Sequence, residues 1–430
     1  MDENRVKVAI VGGGIAGLAL AAGLVKKPHL DVHVYESVPA YKDIGAGLAL
    51  HLNAIKAMAL IGPEVKQAYF DKALSMGDEN QEMVTQVILG QGPHKGQLVA
   101  ELGRAKGRKT VSRADLLDGF LALIPSGRIS FGKKLVSIDQ QTSGKHAVRL
   151  TFQDGTEATA DCLLGADGIH SVTRNYLLGP DHPAAAPKNH DGWQIYRTLV
   201  STEEARKQID PKWTTSVPIL LGPRGHINCI PLNKNTRLSA GVAVRGAVFP
   251  DATAPRPLDP GLYADYSEEA RRIVRMVARD TSASWTAADH DHAPFYARGR
   301  VAMLGDAAHA ALPFAGNGAA QALEDAAVLD SLLAHVHRPD QIPRALAAFD
   351  EVRRPRSQAV VDLARKFGRV YAYAEDGMHE DPERMKGFFA EMAAFTNEFD
   401  VKGQSERALR VFWGAGRVNG DGEGNKWLPN

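Results

Sequence analysis

The chain has 430 residues, 44% of them hydrophobic and 23% charged, which is the composition of a globular protein with room for two or three subdomains and a large core. Lys and Arg number 51 against 50 Asp and Glu, so no basic surplus points to nucleic acid, and the two cysteines, Cys162 and Cys229, are too few for a disulfide framework or a metal site. No apolar run nears the roughly 20 residues of a membrane span, and no secretory leader pattern precedes the first strand, so a cytoplasmic protein is expected, as a monomer or homodimer.

Val8-Ala9-Ile10-Val11 is a buried-strand run that passes directly into Gly12-Gly13-Gly14-Ile15-Ala16-Gly17 and then into an apolar helix pattern, Leu18 to Leu24. G-x-G-x-x-G in that setting has a mechanical meaning. Gly12 permits the tight turn, Gly14 lets backbone approach a pyrophosphate, and Gly17 lets the helix pack close to the strand. The helix N-terminus then offers N–H groups to a diphosphate. A second strand, Val32 to Tyr35, ends in Glu36, 22 residues after Gly14. An acid there accepts hydrogen bonds from ribose hydroxyls and repels a 2′-phosphate.

Ile44-Gly45-Ala46-Gly47-Leu48-Ala49-Leu50 is too glycine-rich for an ordinary strand and predicts close approach of backbone or ligand. Residues 53–61 read as a short helix. Ser112 precedes another helical pattern, with Asp115 three residues on in the manner of a capping box. Arg113 therefore sits in a first turn, where the dipole disfavours a cation unless an anion lies opposite; a solvated surface arginine is the alternative. Val148, Leu150 and Phe152 alternate, Asp154-Gly155 turns the chain, and a returning strand reaches Leu164, a hairpin signal that feeds Gly165-Ala166-Asp167-Gly168.

From about 186 to 284 the style changes to strand-like stretches, Trp193–Val200, Val217–Leu221, His226–Ile230 and Leu238–Val244, which predict an inserted antiparallel sheet. The α/β style returns with Arg300 to Asp306, a buried strand ending in Gly305-Asp306, followed by Ala307-Ala308-His309 and the turn Pro313 to Gly318. A long helix opens near Ala319. The rest reads as helical and amphipathic to about 412, and the tail Gly414–Asn430, with five glycines, is expected to be mobile.

Three stations in this order, the N-terminal dinucleotide fold, Ala166-Asp167-Gly168, and Gly305-Asp306-Ala307-Ala308-His309, closely resemble the FAD-dependent aromatic hydroxylases, the class A flavoprotein monooxygenases, in their salicylate hydroxylase-like branch. The resemblance spans residues 5 to about 365. It implies an α/β fold: a Rossmann-like FAD-binding domain with an inserted, mostly antiparallel substrate sheet and C-terminal helices. In boundaries, that is an FAD domain from 1–185 and 285–365, a substrate domain over 186–284, and a helical region with tail over 366–430.

The resemblance also implies residue roles. Gly12, Gly14 and Gly17 would seat the diphosphate of a non-covalent FAD, and Glu36 its adenosine ribose. Gly47 and Ala49 would lie near the ribityl chain, Arg113 would reach the cofactor, and Asp167 and Asp306 would contact it. Gly316, Gly318 and Ala319 would bring N–H groups beneath the flavin. NADH or NADPH would bind transiently, since no second G-x-G-x-x-G follows a strand.

The implied reaction is hydroxylation of a small phenolic substrate with NAD(P)H and O2 through a flavin C4a-hydroperoxide. A salicylate-like acid, with or without loss of CO2, is the first expectation; dearomatising hydroxylation of a polyketide phenol or phenolic aldehyde is the alternative. A non-catalytic FAD- or prenyl-binding protein is the reading from another class. A halogenase is disfavoured, because Gly192-Trp193-Gln194-Ile195 lacks the second tryptophan and the proline of that pattern. Arg197 matches an arginine that relatives aim at the flavin; a surface ion pair is its other reading. His226 stands where relatives carry a histidine, but Ile230 takes the place of their tyrosine, so proton removal falls to His226 or the ring is anchored by Arg197 alone. His226 also reads as a structural histidine, His51 as a half-buried polar residue, and His309 as a support for its turn.

Overall fold

The computed structural model describes residues 5–41, 47–72, 82–106, 110–140, 147–232, 236–247 and 257–414. The glycine-rich run is therefore seen only from Gly47 and the tail only at Gly414; the remainder of both lies outside the described residues.

The opening strand Val6–Val11 takes the middle of a six-stranded sheet, between Leu30–Tyr35 and Cys162–Gly165, both parallel to it. Val301–Met303 extends the sheet in parallel beyond Cys162–Gly165, Ala297–Arg298 adds an antiparallel edge, and Ile129–Ser130 closes the other side. These strands read as unbroken apolar runs because both faces are covered. Helix Ile15–Leu24 is buried almost all round, lodged against the sheet and the helix Gly318–Leu333, which is why it shows no polar stripe. Two glycines make that packing possible. A Cβ on Gly12 would stand 2.1 Å from the Ala166 carbonyl oxygen, and one on Gly17 2.0 Å from that of Gly12.

The expected hairpin divides at Asp161. Glu157–Ala160 pairs with Val148–Phe152 in a small three-stranded sheet, whereas Cys162–Gly165 crosses to the large one. Asp161 makes the switch by bonding both ways with Lys7: its N–H donates to the Lys7 carbonyl at 2.8 Å, and its carboxylate accepts the Lys7 N–H at 2.9 Å.

The second sheet has seven strands in the order Ser284–Thr286, Gln194–Ser201, Arg237–Val244, Gly225–Leu232, Val217–Gly222, Glu82–Leu89 and Leu98–Lys106. All neighbours are antiparallel except Val217–Gly222 with Glu82–Leu89. The last two strands lie well before the predicted insert and were not foreseen. Register shifts at Met83/Thr85 and Val87/Ile88 break the period-two alternation that would have marked them. One face of this sheet packs Ile227, Cys229 and Val242 against helix Glu268–Ala278 through Ile273, Val274 and Val277. The other face looks toward the FAD-type domain. Helices Ile342–Tyr371, Pro382–Asn397 and Val401–Trp413 follow, and among the described residues no helix is long and apolar enough to cross a membrane.

Candidate active site

A cavity of about 720 Å³ runs from the first glycine loop to the inner face of the seven-stranded sheet. Two helices open onto it. Ile15–Leu24 begins after Gly14 and Gly318–Leu333 after Asn317; neither has a side-chain cap and neither carries an acid in its first turn. Each therefore presents free N–H groups and the positive end of its dipole to whatever fills the cavity. A Cβ on Gly14 would meet only the Arg113 guanidinium at 4.0 Å, and one on Gly318 nothing within 4 Å, so both glycines leave open space. Gly316, with φ +60°, makes the turn between, and Ala319 lines the cavity beside it. Gly17 is the exception among the expected cofactor residues. It is buried behind the loop and does not line the cavity, because its whole allowance of space is taken by Gly12.

The three expected acids differ. Glu36 lines the cavity, and its carboxylate accepts the Gly13 N–H at 2.5 Å, the Val38 N–H at 2.8 Å and the Ser37 hydroxyl at 3.0 Å. A carboxylate has about four acceptor sites, so one is left for a ribose hydroxyl. Asp306 is exposed at the start of the short helix Asp306–His309 and makes no side-chain hydrogen bond among the described residues; Gly305 before it, at φ +59°, turns the chain so that Asp306 lines the cavity. Its carboxylate is not spent on its own turn. Asp167 lines the same wall, and its carboxylate accepts from the Ser171 hydroxyl at 2.6 Å, the Thr173 N–H at 2.9 Å and the Thr173 hydroxyl at 3.1 Å, holding the start of helix Val172–Leu178.

Gly47–Ala49 pairs antiparallel with Thr110–Ser112, Gly47 opposite Ser112. Ser112 caps the following helix by accepting the Asp115 N–H at 3.0 Å, as its spacing predicted. That ladder sets Arg113, and Gly47 and Ala49, on the cavity wall between the two helix N-termini and the sheet.

At the sheet end, alternation decides what faces inward. In Gly225–Leu232, His226, Asn228 and Ile230 line the cavity while Ile227 and Cys229 enter the core behind. Arg197 lines it from Gln194–Ser201, its guanidinium 4.8 Å over the Trp285 ring, with no carboxylate partner among the described residues. Burial pulls its pKa below the usual guanidinium value, yet it stays charged. His226 is 8% exposed, with Phe314 edge-on at 5.1 Å and Tyr371 at 5.0 Å, and its Nδ1 has no hydrogen-bond partner. Burial pushes its pKa down to about 3, so it is neutral at pH 7. A neutral imidazole can accept a hydrogen bond from a phenol. Ile230 packs on Gly47, where a Cβ would lie 3.1 Å from its Cγ2. His51 lines the cavity next to Gly316.

His309 does what its turn required. Its Nε2 meets Asp325 Oδ2 at 2.6 Å, the same oxygen that accepts the Gly305 N–H at 2.8 Å. Behind it lies a buried network that the sequence reading missed. The fully buried Arg353 donates to Asp325 Oδ1 at 2.7 Å and Glu324 Oε2 at 2.6 Å. Glu324 Oε1 accepts from Asn53 at 2.8 Å and Gln321 at 3.0 Å, and both amides also donate to Asn317 Oδ1. Burial would raise the Asp325 pKa, but His309 and Arg353 outweigh it and keep the carboxylate ionised. The network thus fixes Asn317 and the Gly316–Gly318 turn on the cavity floor. Its signal was present as Glu324-Asp325 in the middle of an apolar helix. Phe367 and Tyr371, which line the cavity from the far C-terminal helix, had none.

A model of the FAD binding domain family matches residues 5–364. The chain is 35% identical over 418 residues to the 6-methylsalicylate 1-monooxygenase of Aspergillus terreus, covering 95% of this chain and 93% of that one. It is 31% identical over 433 residues to a salicylate hydroxylase of Pseudomonas putida, covering 96% of each. The solved structure of a salicylate hydroxylase substrate complex matches with a TM-score of 0.81 and 30% identity, covering 95% of this chain and 98% of that one.

Proposed function

The chain belongs to the FAD-binding family of flavoprotein monooxygenases and is an FAD-dependent aromatic hydroxylase; from that premise we propose that it hydroxylates a phenolic acid of the salicylate type. Bound FAD supplies the redox chemistry, reduction by NAD(P)H and activation of O2 to an oxygen electrophile, as is general in the family. The residues present fit FAD. Two uncapped helix N-termini and the open space at Gly14 and Gly318 suit a diphosphate and the electron-rich edge of a reduced flavin. Glu36 keeps one acceptor site for the ribose, and Asp306 and Arg113 offer uncommitted charges along the same wall.

Arg197 carries the substrate assignment: a permanent cation without a carboxylate partner, on the cavity wall, calls for an anionic ligand. It would hold the substrate carboxylate, and the neutral His226 would stand beside the ring on the same wall. Where the oxygen enters at the carboxylate-bearing carbon, CO2 leaves and its bonding pair restores the aromatic ring. Phe314, Phe367 and Tyr371 exclude water from the reacting ring. The proposed division of labour follows the sheets: the six-stranded one for FAD, and the seven-stranded one, with 82–106 added to 186–284, for the substrate. We place the enzyme in the cytoplasm, where the buried thiols Cys162 and Cys229 stay reduced.

A panel of phenolic acids and phenolic aldehydes, followed for NAD(P)H consumption and product together, tests this. Coupled turnover on ortho-hydroxy acids is expected. Coupled turnover confined to the aldehydes would overturn it.

A further inference from the structure

Arg197, Gly241 and Asn228 stand opposite one another on three adjacent strands, Gly241 paired with Arg197 on one side and with Asn228 on the other. The glycine leaves a gap in the sheet face. A Cβ there would lie 2.6 Å from Asn228 Oδ1, so the carboxamide leans across Gly241 toward the Arg197 strand. The two residues are about 10 Å apart at Cα, two inter-strand spacings, a gap that a guanidinium and a carboxamide narrow from both sides.

Asn228 is half-buried and lines the cavity, and its amide makes no hydrogen bond among the described residues. On the same face it has Ile230 and His226 on its own strand and Ile219 paired with it on the next. An amide with no hydrogen bond, leaning toward a cation with no carboxylate partner among the described residues, is a recognition pair. Its charge is suited to one anion, since the carboxamide adds no charge to that of the guanidinium.

Resting on the reading of Arg197 as the acid anchor, we propose that Asn228 is the specificity-determining partner of Arg197, and that the two clasp a ring bearing a carboxylate and a hydroxyl on adjacent carbons. The carboxylate lies on the guanidinium and the ortho-hydroxyl on the carboxamide. An amide suits that oxygen in either protonation state, accepting from a phenol and donating to a phenolate. An aspartate at 228 would instead set a second negative charge against the substrate acid, and a leucine would leave the hydroxyl unpaired.

The test uses FAD-loaded enzyme titrated with salicylate, with benzoate and with 4-hydroxybenzoate, binding being read from the perturbed flavin absorbance. The wild type should prefer salicylate. Asn228→Leu should weaken salicylate by about tenfold while moving benzoate by no more than about threefold, so that the preference collapses. Asn228→Asp should weaken all three acids. Gly241→Ala, whose methyl displaces the carboxamide, should reproduce the leucine result, and the FAD content of each variant reports whether it has folded. A leucine variant that keeps the wild-type ratio of salicylate to benzoate affinity overturns the role of Asn228 and leaves the acid anchor standing. A wild type that binds none of the three acids overturns the anchor itself, and the clasp with it.

Discussion

Replacing Arg197 by lysine keeps the charge and removes the planar fork. Two losses follow from the geometry. The guanidinium lies 4.8 Å over the Trp285 ring, a stacked contact worth about 0.5–1 kcal/mol that an ammonium on a flexible stem makes less well. A bidentate grip on a carboxylate also falls to a single contact, and a hydrogen bond to a charged group contributes about 1.5–3 kcal/mol. The stack exists without ligand and fixes the fork's position, so the lost contact sets the affinity: about 1.5–3 kcal/mol, roughly tenfold to a hundredfold for a phenolic acid. A surface ion pair would predict about 0–1 kcal/mol and almost no change. Affinity is to be read from the flavin absorbance on titration with salicylate, and turnover from NAD(P)H oxidation and product measured together. FAD content should be unchanged, because Arg197 lies on the seven-stranded sheet, away from the glycine loop. A loosely held ring should also uncouple the reaction, with NAD(P)H consumed and peroxide released. A lysine variant within about threefold of wild-type affinity, and still coupled, would refute the anchor.

Three further outcomes separate cofactor contacts from structural ones. Asp306→Ala should lose FAD affinity with little change in the Tm of the apoprotein, whereas His309→Ala, which removes a partner of the buried Asp325, should lower that Tm by the equivalent of about 1–3 kcal/mol; equal FAD retention by the two would count against the assignment. Gly14→Ala should fold and bind FAD poorly, because its methyl enters open cavity space, while Gly17→Ala, whose methyl meets the Gly12 carbonyl, should be unstable with or without FAD; thermal melts of both apoproteins decide it. His226 has a pKa of about 3 in the fold against about 6.5 in an unfolded chain, so the unfolded state binds the extra proton between those values and stability falls as pH drops through that window. His226→Gln should flatten that acid limb of Tm against pH, and an unchanged limb would show that the ring is not buried neutral.

Much of this site was legible where a local pattern had a local cause. Gly12, Gly14 and Glu36 fall in the order strand, turn, helix, strand and acid, and each requirement acts within a few residues of the residue that meets it. The capping of Arg113's helix by Ser112 was readable for the same reason. Asp167 lies on the cavity as its motif predicted, but its bonds to Ser171 and Thr173 were specified by no motif. The strands at 82–106 were hidden by their register shifts, and with them the way the seven-stranded sheet borrows from the N-terminal part of the chain.

What stayed unreadable was set by long-range packing. Whether His226 takes a proton depends on Phe314, 88 positions later, and Tyr371, on a helix that also carries Arg353. That helix touches both ends of the site: Arg353 steadies the floor through Glu324 and Asn317, and Tyr371 closes the aromatic wall on His226. The low pKa of His226 comes from burial that Phe314 and Tyr371 complete, and so from packing far along the chain from the strand that carries it.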